Sequence, residues 1–572
     1  MESATVVLYP SPGIGHLVSM VELGKLIRTH HPSLSLIILI TPAPFETGST
    51  DKYIKTVSAT TPAITFHHFP TVAIPPDLFS NFVGLSFAIP QLHNPTFHNT
   101  LVSISEKSTI KAVILDFFTN AAFQVSKSLE LPTYYFYTGG ASGLCVFLHL
   151  PTTDTIASDS IKDQNVYFDI PGVPPIHSSN FPAAMSDKRS ITYKNFLSTS
   201  KNMAKSSGII ANTFVEFEER AVGTLRDGKC ITDGPTPPTY FIGPLIAGGN
   251  QVDPSENECL KWLKSQPSKS VVFLCFGSMG VFKKEQLKEI AIGLERSEQR
   301  FLWVVRNPPP DGEKESNSGG KEVGLDAILP EGFLSRTVDK GLVVKNWAPQ
   351  PAILGHDSVG GFVSHCGWNS VLEAVVAGVP MVAWPLYAEQ KMNRVYLVEE
   401  MKVAVAVDMS SDGFVTAAAV EEKVKELMEG EEGRVVRERS LEMSRRAKAA
   451  TEDGGSSRVE FLKLTDSWTA TITGFECLGM IGKYDDERRF LSHLAQLRYE
   501  EGKLDKLVFP KIREQIKPNS LRTFFRIAIQ CLKIDRKQRP TMAVIMEQLQ
   551  MSLECLNEIL FLASYLLLNI CF

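Results

Sequence analysis

Trp347 to Gln390 read WAPQPAILGHDSVGGFVSHCGWNSVLEAVVAGVPMVAWPLYAEQ. The apolar run Gly360–Ser364 predicts a buried strand, Ser370–Ala377 a helix and Met381–Trp384 the next strand, so this stretch is a strand–helix–strand unit. The same alternation runs outward from it. Upstream stand a strand at Ser270–Phe276, a helix at Lys284–Glu295 and strands at Phe301–Val305 and Leu342–Lys345; Asn307–Asp326, rich in Pro, Gly and charge, reads as a loop. Downstream, Val420–Met428 and Arg434–Ala450 have helical spacing. A second series fills the first half of the chain. It comprises strand Thr5–Tyr9, helix Val18–Thr29, strand Leu34–Ile40, strand Ala112–Leu115 with a helical pattern through Leu129, and strand Tyr134–Tyr137. Gly243–Asp253, rich in Gly and Pro, separates the two series. Strands alternating with helices predict an α/β fold with parallel sheets covered on both faces. Two such doubly wound domains predict a ligand in the cleft, outside the carboxyl ends of the strands.

The chain has 572 residues, 44% of them hydrophobic and 21% charged. That is material for three or four units of about 150 residues, each with a sizeable core. A net charge of -5 offers no electrostatic footprint for nucleic acid or an anionic membrane. The 9 cysteines are scattered and include no CxxC pair, which reads as reduced thiols rather than a disulfide frame or zinc site. Met1-Glu2-Ser3-Ala4-Thr5 lacks a basic or long apolar leader, and no apolar run reaches about 18 residues. A cytoplasmic protein without a transmembrane segment is expected.

The quoted stretch resembles, nearly residue for residue, the plant secondary product glycosyltransferase motif, the donor-sugar signature of plant family 1 UDP-glycosyltransferases. The likeness extends over residues 1–468, and the first half looks most like flavonoid and phenolic glucosyltransferases. This resemblance implies the GT-B fold, with two Rossmann-like domains facing a cleft. The acceptor-binding domain would occupy 1–245 and the UDP-sugar domain 254–452, with a closing helix at 453–468. It also implies a set of donor contacts. Trp347 would stack on uracil, the backbone of Ala348 would read the uracil edge, and Gln350 would lie at the ribose, whose hydroxyls Glu373 would bind. His365-Cys366-Gly367-Trp368-Asn369-Ser370 sits where a strand gives way to a helix, and a helix N-terminus suits a diphosphate. His365, Asn369 and Ser370 would add donors there, with Ser278 at another strand end. Glu389 and Gln390 would bond the sugar hydroxyls, Trp368 packing nearby and Thr138 reaching an outer hydroxyl. Cys366 reads as a packing residue.

Pro10-Ser11-Pro12-Gly13-Ile14-Gly15-His16 follows the first strand. Its glycines permit a tight turn into a helix, and His16 resembles the family's general base. Asp116, at the end of the Ala112–Leu115 strand, resembles the acid that holds that histidine. An imidazole suits removal of a phenol's proton at neutral pH, and a carboxylate behind it fixes the tautomer. Taken singly, His16 would be a structural residue of the turn and Asp116 a helix cap. Ile14, Phe82, Phe117, Phe118 and Tyr387 are candidates for an apolar acceptor pocket. A dinucleotide site is disfavoured, because Val18 stands where the third glycine of GxGxxG belongs and Ile40-Thr41-Pro42 supplies no acid for a ribose. The reading is an inverting UDP-glucose-dependent O-glucosyltransferase for a small aromatic acceptor, monomeric and using no metal or cofactor beyond UDP-glucose as co-substrate. A triterpene acceptor, or a binding protein whose catalysis has been lost, are the alternatives.

Beyond Trp468 the pattern changes. Residues 476–556 resemble the last helices of a plant receptor-like kinase domain, through Leu491-Ser492-His493-Leu494-Ala495, Tyr499-Glu500-Glu501-Gly502-Lys503-Leu504 and Asp535-Arg536-Lys537-Gln538-Arg539-Pro540-Thr541-Met542. No Gly-rich phosphate loop, catalytic loop or Asp-Phe-Gly precedes them, so phosphoryl transfer is not expected. The stretch reads as a fused fragment without activity of its own, a docking appendage being the alternative, with an apolar tail at 557–572.

Overall fold

The computed structural model describes residues 4–42, 49–75, 82–247, 257–309 and 323–473. The kinase-like stretch, the apolar tail, residues 248–256, which include the end of the Gly/Pro-rich boundary, and the middle of the 307–326 loop lie outside the described residues. The chain up to Phe461 forms one compact unit, and the second, from Leu462, is described only through the end of the helix Ser456–Thr473.

The first half folds around a sheet of β1 (Ala4–Tyr9), β2 (Ser35–Ile40), β3 (Ile64–His68), β4 (Thr109–Asp116) and β5 (Thr133–Tyr137). After a two-stranded antiparallel hairpin, β6 (Tyr167–Phe168) and β7 (Ile176–His177), it is completed by β8 (Gly208–Ala211) and β9 (Thr239–Phe241). Its spatial order is β3-β2-β1-β4-β5-β8-β9, and every pairing is parallel. The second sheet contains β10 (Val271–Cys275), β11 (Arg300–Val305), β12 (Gly341–Lys345), β13 (Val359–Ser364), β14 (Met381–Ala383) and β15 (Ala404–Ala406). Its order is β12-β11-β10-β13-β14-β15, also parallel throughout.

Helices cover both faces of such sheets, so central strands are apolar on both sides and read as unbroken hydrophobic runs. Val6, Val7 and Leu8 of β1 and Val271, Val272, Phe273 and Leu274 of β10 are fully buried. By contrast β12, an edge strand, is half-buried along its length.

Each sheet reverses its strand order once near the middle, between β1 and β4 in the first and between β10 and β13 in the second. Diverging crossovers leave a crevice beyond the carboxyl ends of the strands at such points. The expected sites lie there: Pro10–His16 and Asp116 beyond β1 and β4, Gly277-Ser278 and His365 beyond β10 and β13.

Candidate active site

At the first crevice the chain leaves β1 through Gly13, whose φ of 117° only glycine adopts without strain. The helix Ile14–His30 follows at once and places His16 in its first turn. His16 Nδ1 lies 3.0 Å from Asp116 Oδ2. Asp116 is fully buried, and its other oxygen, Oδ1, accepts from Ser11 Oγ at 2.6 Å and from the Phe117 N–H at 2.5 Å. Three donors thus hold a charge that burial alone would make costly. The carboxylate caps the short turn Phe117–Thr119 and faces the histidine at the same time. Burial opposes the positive charge on His16, but the Asp116 carboxylate, with Glu389 adding to it, outweighs burial and raises the imidazole pKa above 6.5. Burial in turn raises the Glu389 carboxyl. Glu389 follows β14 in the second sheet, so the two halves bring opposite charges into range of each other.

An aromatic wall stands beside His16. The Phe118 ring meets the imidazole edge-on at 5.6 Å and Phe87 at 4.8 Å. Phe117, buried, turns into the cluster formed by Phe87, Phe147 and Phe196, 4.5 Å from Phe147. Ile14 is half-buried at the start of the helix, and Phe82 is exposed at the start of the helix Phe82–Leu92. Tyr387 packs on the other side, its ring 6.3 Å from His365, with burial pushing its phenol up to about 12.

The second crevice gathers the donor candidates. Trp347, just beyond β12, is 67% exposed, an open indole face, whereas the neighbouring Ala348 is buried. The Ala348 carbonyl accepts the Gln350 N–H at 2.9 Å. Gln350 Nε2 donates to Ser370 Oγ at 2.8 Å and Glu373 Oε2 at 2.7 Å. Burial pushes the Glu373 carboxyl up to about 7, partly offset by that Gln350 bond. His365 is buried and its Nδ1 has no hydrogen-bond partner; burial lowers its pKa to about 4, so the ring is neutral at physiological pH. Against it lies Gly277, at φ 75°, where a Cβ would stand 2.6 Å from His365 Nε2. Exposed Ser278 follows. The helix Trp368–Ala377 starts at Gly367 with no side-chain cap, leaving its first N–H groups without a side-chain acceptor.

Two of the motif's residues reach across the cleft. Asn369 Nδ2 donates to the Gly15 carbonyl at 3.3 Å, and its Oδ1 accepts from Ser19 Oγ at 3.2 Å. The buried Trp368 indole N–H donates to the Asn212 carbonyl at 2.7 Å, with the ring beside Phe217 and so close to Gly140 that a Cβ there would lie 2.4 Å away. Trp368 therefore seals the seam between the halves next to half-buried Thr138, which stands just past β5. Gln390 turns its Oε1 onto the Leu386 and Tyr387 N–H groups at 2.9 and 3.0 Å, leaving its NH2 as the remaining hydrogen-bonding group. Cys366 is buried packing, as expected.

The sequence reading missed Ser11, Phe87, Phe196, Asn212 and Glu218. The last is a buried carboxylate that accepts the Ala141 and Ser142 N–H groups, both at 2.8 Å, and the Thr213 hydroxyl at 2.5 Å. It thereby fixes the start of the helix Ala141–Leu148, directly after Thr138-Gly139-Gly140.

Two parallel sheets meeting in one cleft have the architecture of the GT-B fold. Residues 235–445 match the family model "UDP-glucoronosyl and UDP-glucosyl transferase". The chain is 73% identical over 469 residues to UDP-glycosyltransferase 88B1 of Stevia rebaudiana, a match covering 82% of this chain and 100% of that one. It is 51% identical over 479 residues to an anthocyanidin 5,3-O-glucosyltransferase of a Rosa hybrid cultivar, covering 82% of this chain and 99% of that one. Among solved structures, Phytolacca americana UGT2 complexed with UDP-2fluoro-glucose and pterostilbene superposes with a TM-score of 0.72 at 36% identity, over 82% of this chain and 100% of that one. The chain belongs to the UDP-glycosyltransferase family and is an enzyme of that kind. No helix among the described residues is long and apolar enough to cross a membrane.

Proposed function

We propose that the enzyme moves glucose from UDP-glucose to a hydroxyl of a small aromatic acceptor of flavonoid or related phenolic type, with inversion at the sugar and with His16 as general base. The observation behind this reading is the pairing of His16 with a fully buried Asp116 beside an aromatic wall. With Nδ1–H held by Asp116, Nε2 carries the lone pair that takes the acceptor proton. The freed oxygen attacks the anomeric carbon from the face opposite UDP, the bond from that carbon to the phosphate oxygen breaks, and UDP leaves with the electron pair. Asp116 stabilises the imidazolium, as the carboxylate of a protease triad does.

On the donor side, Trp347 stacks on uracil, Glu373 accepts the ribose hydroxyls, and the uncapped N–H groups at Trp368–Ser370, with His365 and Ser278, receive the diphosphate. Glu389 and the Gln390 NH2 read the sugar hydroxyls. A neutral indole at Trp368, where an arginine would pair with a uronate carboxylate, favours glucose over glucuronate. A phenolic acceptor is supported by the relatives, one an anthocyanidin glucosyltransferase and the other holding pterostilbene. Transfer resides in residues 1–468.

The test is a competition among equal concentrations of UDP-glucose, UDP-galactose and UDP-glucuronate, with an anthocyanidin and pterostilbene as acceptors, run on the wild type and on His16→Ala. Glucoside should dominate, and His16→Ala should lose at least about a hundredfold in kcat while still binding UDP. Galactoside or glucuronide in excess would overturn the donor assignment; an active His16→Ala would overturn the base.

A further inference from the structure

Ser11 has no role in the chemistry described so far, yet its hydroxyl is committed on both sides inside the catalytic crevice. β1 and β4 are neighbours in register, with Tyr9 opposite Leu115. The chain leaving β1 therefore passes directly over the end of β4. Ser11, buried to 2% exposure, donates its hydroxyl proton to Asp116 Oδ1 at 2.6 Å and accepts the Phe118 N–H at 3.0 Å. Of the two Asp116 oxygens, Oδ1 is thus taken by Ser11 and the Phe117 N–H, while Oδ2 is left for His16. The same hydroxyl ties down the backbone of Phe118, whose ring meets the imidazole.

We infer that Ser11 is a positioning residue of the transfer reaction: its hydroxyl locks the Asp116 carboxylate with Oδ2 toward His16 and couples that lock to the acceptor-facing Phe118. This rests on the reading of His16 as the base. The physical argument is that a buried carboxylate keeps one orientation only as firmly as its donors hold it, and Ser11 supplies one of the two on Oδ1. Removing the hydroxyl leaves Oδ1 with one donor instead of two and leaves the Phe118 N–H without an acceptor. Hydrogen bonds to charged groups are also the strong ones, since they disperse the charge. Without Ser11, more of the Asp116 charge falls on His16, which becomes harder to deprotonate. Two acidic groups face the imidazole, Asp116 from β4 and Glu389 from the other sheet. Glu389 is untouched by the change, so the shift reports on Asp116.

The experiment compares wild type, Ser11→Ala, Ser11→Thr and His16→Ala as full-length enzyme. It measures kcat and KM for UDP-glucose across pH on whichever of an anthocyanidin or pterostilbene the wild type turns over faster, with UDP binding as the check on folding. Ser11→Ala should lower kcat on the order of tenfold, leave KM for UDP-glucose within about twofold, and move the acid limb of the kcat profile to higher pH. Ser11→Thr, which restores a hydroxyl, should recover the position of the limb. A Ser11→Ala enzyme with unchanged kcat and an unmoved limb overturns the inference. So does a fall in kcat with the limb in place and no rescue by threonine, the signature of a merely structural residue. An active His16→Ala enzyme is a separate failure, that of the base assignment beneath it.

Discussion

Lowering the pH should weaken UDP-glucose binding through one side chain, Glu373. Glu373 is half-buried on the helix Trp368–Ala377, and burial pushes its carboxyl up to about 7. In the proposed complex it accepts two ribose hydroxyls, and donors to a carboxylate favour the ionised form. The bound-state pKa must then lie below that of the free enzyme. The sign follows. Above about 7 the free enzyme is already ionised and affinity is full. Below that value a proton must leave before the donor binds, and affinity falls until pH reaches the bound-state pKa. If the ribose returns the group to its ordinary 4.5, the loss approaches about tenfold per pH unit through that window. Folding shows the opposite sign: a carboxyl raised from 4.5 to about 7 costs stability as pH rises between those values. Bound UDP-glucose offsets that cost, so the rise in Tm that it produces should grow with pH over the same range.

The assay is calorimetric titration with UDP-glucose rather than UDP, because a terminal phosphate titrates near about 6 and would add its own slope. His16, raised above 6.5 by Asp116 against the opposing effect of burial, is a second titrating group in the cleft, so the series belongs in a His16→Ala background. His365, lowered to about 4, is neutral over all but the acid end of that range. Glu373→Gln should bind more weakly and with a flat pH profile. Affinity that does not change with pH in the His16→Ala enzyme, or a Glu373→Gln enzyme that keeps the slope, refutes the reasoning.

Three further outcomes are expected. Trp368→Arg should cut UDP-glucose kcat/KM by at least about tenfold, because it forces a charge into a sealed seam, whereas Trp368→Phe, losing chiefly the bond to the Asn212 carbonyl, should cost about fivefold; steady-state kinetics with either variant at wild-type level would show that the seam does not shape the donor site. Glu218→Ala should lower unfolding free energy by about 3 kcal/mol, since it strands the Ala141 and Ser142 N–H groups and the Thr213 hydroxyl; a urea midpoint within error of the wild type would contradict that. Chelation with EDTA should leave turnover unchanged, because in the proposed complex helix N–H groups hold the diphosphate, and metal-restorable inhibition would count against this.

What could be read in advance divides along physical lines. Strands buried on both faces announce themselves, because each residue must be apolar: β1, β2, β4, β5, β10, β11, β13 and β14 all fall within a few residues of their expected places. The strands that went unnoticed carry that signal too briefly or not at all. β3 ends in two histidines, and β6, β7, β8, β9 and β15 are only two to four residues long; their strand character comes from the neighbour they pair with, which no local window contains. The site divides in the same way. His16, Asp116 and the residues of 347–390 were legible because a family pattern holds them at fixed spacing. Ser11 sat within the quoted loop, yet its partners Asp116 and Phe118 lie more than a hundred positions away. Trp368 and Asn369 were assigned to the donor from their motif, but their own hydrogen bonds cross to Asn212, Gly15 and Ser19 in the other half. The motif therefore does two jobs: the same short helix that is proposed to receive the diphosphate also joins the half bearing His16, so its own side chains hold the proposed base and the proposed donor site in fixed relation.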